Sequence, residues 1–455
     1  MKPASQDAPA TFHPASSLDF VPREHLRRLQ SERLREAVGR AFENVAPFRQ
    51  RMNKAGLTPA AIHGIDDVHK LPLTNRSDLE DAYPFGMLAV PLQQVARLYS
   101  AGSAPGKPFV VAFTRRDVDA WTEVVVRALA SCGFHQGDVI QNACGHELLA
   151  DGQGLHDGAE ALGAAVIPCS AGDFTRRIAI LKDLGVSAVC STASSFLQIV
   201  DRAEKVEFQL RELPLRIGAF VGEPWSETVR QRIEQSAGLK AFQVYGPTEL
   251  IGPGVAAECF HQSGLHVFED HFYPEIVDPE SGEPSADGQE GELVLTALGR
   301  QAMPLIRYRT GEWAAMVAEP CPCGRTLRRI RRIGKGRRPK VGLDDVVVIE
   351  GVSVAAAQIE AAILAVEGTL PPYQIVLSEQ GGLDHLAVEI EVTPQVFSDR
   401  VGAMESLQAR LAEEIGQTVG IHATVRLVEP RTIERSQGET KKVVDKRSEG
   451  RPESP

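Results

Sequence analysis

The residues of this chain that could do chemistry gather in a few short stretches. The densest is Tyr245-Gly-Pro-Thr-Glu249, followed by a Gly-Pro-Gly turn at 252–254 and by Cys259. Thr248 sets a hydroxyl beside the Glu249 carboxylate on a tight turn. That pair suits a phosphate and its Mg2+, because a hard cation takes oxygen ligands. An ordinary surface turn has the same composition, and the pentapeptide alone leaves both readings open. A second stretch, Ser100-Ala-Gly-Ser-Ala-Pro-Gly-Lys107, carries glycines, hydroxyls and a lysine. Glycines let backbone N–H groups approach an anion and the lysine adds charge, so Ser100, Gly102, Ser103, Gly106 and Lys107 are candidate phosphate contacts. A third set is Cys259, His266 and the Cys321-Pro-Cys323 turn. Thiolates and an imidazole suit tetrahedral zinc, and four protein ligands make a closed structural site. His261, two residues from Cys259, competes with His266, and free core thiols are common. His146 beside Glu147 could form a proton-transfer pair, although a satisfied polar pair on a loop reads the same way.

These residues need elements to hold them. Residues 96–113 read as strand, glycine loop, strand, and Thr114 with Asp117 caps a helix expected from about 118 to 132. The apolar runs DVIQNA, AAVIPC, VSAVCST, LRIGAFVG and KAFQVYG then alternate with helical stretches. That alternation predicts a mostly parallel sheet with helices on its faces. Ligands of such sheets bind beyond the carboxyl ends of the strands, where Gly222-Glu-Pro224 and the 245–249 turn fall. Upstream, Leu26, Leu29, Leu34, Val38 and Phe42 form one face of a helix within 20–55. From about 290 the chain turns β-rich, with GELVLTAL and the run 302–316 read as strands. A small domain from about 344 is predicted as strand VVVIEGV, helix 355–366, strands YQIVLSE and HLAVEIEV, helix 400–415 and strand ATVRLVE. The fold class is therefore α/β. A large N-terminal domain, 16–343, has mostly parallel sheets flanked by helices plus a β-rich segment. A small mobile α+β C-terminal domain, 344–447, follows, with a loose arm at 1–15 and a disordered tail at 448–455.

Composition narrows the partners. A formal charge of −11 argues against nucleic acid, even though residues 325–340 hold seven Arg and two Lys. No stretch approaches the ~20 apolar residues of a membrane span. The start, Met-Lys-Pro-Ala-Ser-Gln-Asp, lacks the apolar core of a signal peptide. Seven scattered cysteines fit reduced thiols and a cytoplasmic location. The expected partner is a small carboxylic acid or an activated acyl compound, with a homodimer as an option.

Residues 245–278, YGPTELIGPGVAAECFHQSGLHVFEDHFYPEIVD, resemble the phenylacetate–CoA ligase family of adenylate-forming enzymes. So do Leu71-Pro-Leu-Thr-Asn-Arg-Ser-Asp-Leu79 with Tyr83-Pro-Phe-Gly86, Gly222-Glu-Pro-Trp225, Arg307-Tyr-Arg-Thr310, the stretch 344–352 and Glu434-Arg-Ser-Gln-Gly438. The matches run in the family's order from about residue 15 to 447, nearly the whole chain. The resemblance implies activation of an acid by ATP and Mg2+ as an acyl-AMP, and its transfer to a thiol such as CoA. It implies that Gly222, Glu223, Pro224, Tyr245, Gly246, Pro247 and Thr248 line the adenine and α-phosphate. Glu249 would hold Mg2+. Glu312 stands where the family's aspartate grips the ribose, and Arg337 is a looser ribose match. It also implies zinc on Cys259, His266, Cys321 and Cys323.

Departures from the family pattern bear on activity. The phosphate loop contains Pro105, which lacks an N–H donor. In the stretch resembling the family's acyl pocket, Cys144, Gly145, His146, Glu147 and Gly152 are the candidate lining. Cys144 and His146 replace tyrosines there, which makes the slot smaller-walled and more polar. The family's C-terminal Ser-Glu-Gly-Lys reads Ser436-Gln-Gly-Glu439. That lysine bridges the acyl carboxylate and α-phosphate, so a carboxylate in its place repels both. Lys441 or Lys442 is the nearest substitute. The residues expected in catalysis are Thr248, Glu249, Lys441 and His146. The favoured reading is an AMP-forming acid–thiol ligase; the alternative is a non-adenylating relative that transfers a pre-activated acyl group or only binds ligands.

Overall fold

The computed structural model describes residues 13–101, 108–144, 150–169, 174–223, 225–286, 288–335, 346–349, 352–355, 359, 362–363, 365–366, 371–380, 383–392, 401–429, 432–433, 435–436, 439–440 and 443–446. They fall into two compact units. The first is formed by the described residues of Met1–Ala101, Pro108–Gly222 and Ile233–Lys340, the second by those of Glu223–Arg232 and Val341–Pro455.

The first unit begins with a 3-10 turn, Pro14–Phe20, and helices α1 (Arg23–Asn44), α2 (Ala46–Lys54) and α3 (Arg76–Asp81). The face predicted for α1 is present: Leu26, Leu34 and Val38 are fully buried, while Leu29 and Phe42 are half-buried. A hairpin follows, β1 (Val95–Ala101) against β2 (Phe109–Thr114), and leads into α4 (Arg115–Cys132). Thr114 and Asp117 form the capping box expected of them. The alternating region contains β3 (Val139–Asn142), α5 (Ala150–Ala161), β4 (Ala165–Pro168), α6 (Phe174–Asp183), β5 (Ala188–Ser191), α7 (Ala193–Lys205), β6 (Ile217–Phe220), α8 (Glu227–Ala237, which up to Arg232 belongs to the second unit) and β7 (Lys240–Tyr245). Strands β7-β6-β5-β3-β4 are all parallel.

The same sheet continues as an antiparallel half. It adds β8 (Ala256–Glu258), β9 (Leu265–Val267), β10 (Phe272–Val277), β11 (Glu290–Ala297), β12 (Tyr308–Val317) and β13 (Arg329–Lys335). The order is β10-β11-β12-β13-β9-β8-β7-β6-β5-β3-β4, eleven strands among the described residues. The predicted β-rich segment is thus no separate layer but the extension of the parallel sheet. Residues 302–307, expected as strand, are not: Arg307 sits at φ 47. Its buried guanidinium pairs with Glu275 at 3.1 Å and donates to the His69 and Leu71 carbonyls, which fixes the chain before β12.

A buried ion network joins the N-terminus to this sheet. Arg127 on α4, wholly buried, contacts Asp19 at 2.6 Å and Asp270 at 2.9 Å, and both acids are buried as well. Asp19 also accepts from Arg325 at 3.0 Å. Burial opposes ionisation of Asp270, but His271 and Arg127 outweigh it and hold the carboxyl below its usual range. Removing one member of such a set leaves charge unpaired, at a typical cost of about 3–5 kcal/mol.

The second unit has a hairpin, β14 (Val346–Ile349) with β15 (Val352–Ala355), where a single strand VVVIEGV was expected. Ile349 pairs with Val352, so the chain reverses there. Residues 359, 362–363 and 365–366 are helical. β16 (Tyr373–Gln380), β17 (Leu383–Glu391), α9 (Val401–Val419) and β18 (Thr424–Val428) follow, then the pair β19 (Arg435–Ser436) and β20 (Glu439–Thr440), and β21 (Val443–Asp445). Their sheet runs β18-β17-β16-β21 over its own core, including Ile375, Leu386, Val388, Leu411 and Ile415. The resulting class is α/β with a large mixed sheet and a small α+β unit.

Candidate active site and metal centre

The 245–254 turn is built by close backbone approach. A Cβ on Gly246 would lie 1.6 Å from the Gly252 carbonyl oxygen, so only glycine fits. The Pro247 carbonyl accepts from the N–H groups of Leu250 and Gly252, each at 3.0 Å. Trp121 Nε1 on α4 donates to the Pro253 carbonyl at 2.9 Å, and Arg300, stacked 4.1 Å over Phe113, donates to the Leu250 carbonyl. The turn that leaves the carboxyl end of β7 is therefore pinned from two sides. Thr248 and Glu249 stand half-buried on it.

Four groups act on or around Glu249. Arg76 of α3 places Nη1 3.7 Å from its Oε1, while its Nε binds Glu80 at 2.9 Å. Burial lowers the Arg76 pKa, yet the Glu249 and Glu80 carboxylates outweigh it and the guanidinium stays above its usual value. Tyr308 of β12 hydrogen-bonds the Glu249 carboxylate; burial first, then that negative charge, push its phenol well up. Tyr245 is buried beside them. Asp151 of α5 feels Glu249 too. Burial and then the Glu249 charge raise its carboxyl to about 7. Its Oδ1 is enclosed with no hydrogen-bond partner among the described residues, and its Oδ2 lies 3.7 Å from where a Cβ on Gly222 would sit.

Helix α5 brings Asp151 here because it packs almost backbone to side chain on α4. A Cβ on Gly154 would meet Trp121 at 2.1 Å, and one on Gly158 would meet Val125 at 2.3 Å. Asn142, at the end of β3, donates to the Gly152 carbonyl at 2.8 Å and accepts from the Cys144 N–H at 3.3 Å. Cys144 and Gly152 are thereby brought together, and Cys144 is buried. Gly222 follows β6 with φ 83, next to Thr192 and Asp151. Glu223 is buried. Glu312 lies on β12 opposite Lys335, and its N–H donates to Thr310 at 3.1 Å. Ser100 is exposed near the end of β1. Gly102, Ser103, Gly106, Lys107, Gly145, His146, Glu147, Pro224, Arg337 and Lys441 lie outside the described residues, as do residues 344 and 345, where the small mobile domain was expected to begin. Arg76, Tyr308 and Asp151 received no site role from the sequence. The first two stand in motifs that carried the resemblance, and Asp151 is an acid inside an otherwise apolar and glycine-rich helix start.

The metal-ligand set does assemble. Ligand atoms of Cys259, His266, Cys321 and Cys323 all lie within 4.8 Å of one another. Cys259 Sγ is 3.6 Å from Cys321 Sγ, and Cys323 Sγ is 3.4 Å from His266 Nε2. A tetrahedral zinc with its usual bond lengths requires about 3.8 Å between sulfurs and about 3.5 Å between sulfur and nitrogen. The donors therefore fit such an ion and do not fit a disulfide. Cys259 follows β8, His266 is on β9, and the Cys-Pro-Cys turn links β12 to β13, so an ion would clamp two hairpins of one sheet. The Cys259 thiol hydrogen-bonds Cys323 and keeps it low-pKa, with His266 adding to the effect. His266 Nδ1 is buried with no hydrogen-bond partner among the described residues, where second-shell support is usual.

Comparison with known proteins decides the family. Residues 158–304 match the AMP-binding enzyme family and residues 351–447 the AMP-binding enzyme C-terminal domain. The chain is 38% identical over 444 residues to a phenylacetate–coenzyme A ligase of Thermus thermophilus, covering 94% of this chain and 98% of that one. The chain belongs to the phenylacetate–coenzyme A ligase family. A second ligase of that name, from Aromatoleum evansii, is 37% identical over 98% of this chain and 99% of its own. Among solved structures, a 2-hydroxyisobutyryl-CoA ligase in complex with 2-HIB-AMP and CoA shares the fold. Its TM-score is 0.81 at 24% identity, over 98% of this chain and 95% of that one. The 245–254 turn opens the stretch that carried the resemblance, and its backbone is held by Trp121 and Arg300. No helix of the described residues is long and apolar enough to cross a membrane.

Proposed function

We propose that the protein is an AMP-forming acid–CoA ligase. The observation that carries this reading is the pinned 245–249 turn at the carboxyl ends of the strands, in a chain that follows its family from end to end. A carboxylate oxygen of the acid attacks the α-phosphorus of ATP, and pyrophosphate leaves. The thiol sulfur of CoA then attacks the acyl carbon of the mixed anhydride, and AMP leaves with the C–O bonding pair. Thr248 and Glu249 hold Mg2+, which neutralises phosphate charge when bound. Both supply the oxygen ligands such an ion takes. Arg76 and Tyr308 position the Glu249 carboxylate, the one by charge and the other by its hydroxyl. Gly222 and residues 245–248 line the nucleotide, and Glu312 serves the ribose. Zinc occupies the Cys3His cluster as a structural ion. The acid enters along Gly222, Asp151 and Cys144.

One observation favours a second reading. Glu439 stands where the family has its adenylating lysine, and the loss of such a charge contact typically costs about 3–4 kcal/mol. A protein without that step would transfer a pre-activated acyl group. Supplying ATP, Mg2+, CoA and a panel of aryl and short hydroxy acids separates the two. Acid-dependent AMP and an equimolar acyl-CoA are expected. Acyl transfer from a preformed thioester, with no AMP from any acid, would establish the second reading.

A further inference from the structure

Five arginines are buried among the described residues: Arg127, Arg177, Arg300, Arg307 and Arg329. Four of them are answered by strong acceptors. Arg127 holds Asp19 and Asp270, and Arg307 holds Glu275. Arg300 donates to the carbonyls of Leu250 and Ala112, and Arg329 to those of Ser263 and Glu319. Arg177 is different. It is 2% exposed, and among the described residues its guanidinium lies 5.6 Å from the Phe174 ring centroid and donates to two hydroxyls, Ser195 Oγ at 2.7 Å and Ser191 Oγ at 3.4 Å. Its Nε is buried without a hydrogen-bond partner, and among the described residues no carboxylate lies within ion-pair distance. Burial lowers its pKa to about 10, so it remains a cation at neutral pH. A buried cation without an anion is a costly arrangement that proteins ordinarily pair.

The position of Arg177 gives that charge a use. It stands on α6 against Ser191 at the carboxyl end of β5, and its charge acts on Cys144 and Cys169, just beyond the carboxyl ends of β3 and β4. This is the sheet edge that bears Gly222 and the 245–249 turn. Burial, most of all, raises the pKa of the Cys144 thiol; the Asp151 charge adds to that rise and the Arg177 charge opposes it. Ser191, which Arg177 contacts, ends β5 in register with Phe220, two residues before Gly222.

We infer that Arg177, with the hydroxyls of Ser191 and Ser195, is a specificity-determining residue that receives a second anionic group on the acid substrate, at the end remote from the carboxylate being activated. The preferred substrates are then acids bearing two anionic groups rather than one. A planar guanidinium with a free Nε edge and one of its hydroxyl partners only loosely held offers a bidentate seat for a carboxylate. This inference rests on the acid-activating reading of the same site.

The test compares matched pairs of acids, such as phenylacetate with its para-carboxy derivative, on wild type, Arg177→Met and Arg177→Lys. Two readouts run in parallel: the rise in Tm on adding the acid alone, and the rate of thioester formation with ATP and CoA. Wild type should favour the dianionic acid at least ~10-fold in kcat/KM. Arg177→Met should erase that preference through KM and leave monoanionic acids unchanged, and Arg177→Lys should keep part of it. Arg177→Met should also be as stable as wild type or more so without ligand, because it removes a buried charge that no carboxylate among the described residues answers. A lower Tm for Arg177→Met would make the residue structural and overturn the inference. So would equal handling of both acid classes by wild type. If dianionic acids raise the Tm of wild type but not of Arg177→Met while no thioester forms, the seat stands and the ligase reading falls.

Discussion

Asp151 shows how one residue carries both a cost and a use. Its folded pKa, about 7, lies above the usual 3.8, so the folded protein binds this proton more tightly than the unfolded chain. Its contribution to stability is full below pH ~4, declines as pH rises toward 7, and stays flat above that. Asp151→Asn should therefore raise Tm at pH 8 and leave it nearly unchanged at pH 4, as followed by circular dichroism; parallel curves for the two proteins would contradict the assignment. Gly246 is bound by sterics alone. Gly246→Ala should distort the turn carrying Glu249 and reduce thioester formation by at least ~100-fold. Retained activity would mean that the turn is not the phosphate-facing element. At Glu439 the expectation is opposite in sign. If adenylation is only weakened there, Glu439→Lys should speed acid-dependent AMP release by ~10-fold or more, and an unchanged rate would place the missing cation elsewhere. The turn was legible as a local pattern of residue type, and the Cys3His set as two short ligand pairs, Cys259 with His266 and Cys321 with Cys323, that the sheet brings together. Arg76, Tyr308 and Asp151 were not, because their roles come from three distant segments that meet only after the sheet forms.

At the scale of elements, period and punctuation carried most of the information. Runs such as KAFQVYG and LRIGAFVG became parallel strands, and Thr114 with Asp117 started α4. Two element readings failed for identifiable reasons. VVVIEGV was read as one strand from its apolar run, but Glu350-Gly351 interrupts that run between Ile349 and Val352, which pair across a reversal. The stretch 302–307 is apolar like a strand, but the buried Arg307 pairs with Glu275 and takes a positive φ instead. The Cys3His cluster belongs to this scale because it ties the β8–β9 hairpin to the β12–β13 turn. Metal analysis should find about one zinc per chain. Cys321→Ser should lower both the zinc content and Tm, and a zinc-free wild type of equal stability would refute a structural ion here.

For the whole molecule, the sheet explains why residues from so many segments answer one another. Its parallel half ends in Cys144, Ser191, Gly222 and the turn after β7, and its antiparallel half supplies Tyr308 and Glu312. The number and order of strands could not be read from sequence, since pairing partners lie far apart along the chain. Family membership was legible because the motifs keep their order along nearly the whole chain. The central claim is that this edge activates an acid with ATP. Isotope exchange between pyrophosphate and ATP reports that step alone, without CoA and without any need to know the acceptor. Purified wild-type protein with Mg2+, ATP and a panel of mono- and dianionic aryl and hydroxy acids should catalyse exchange that depends on both acid and Mg2+. Exchange absent for every acid, in wild type and in Glu439→Lys alike, would contradict the account.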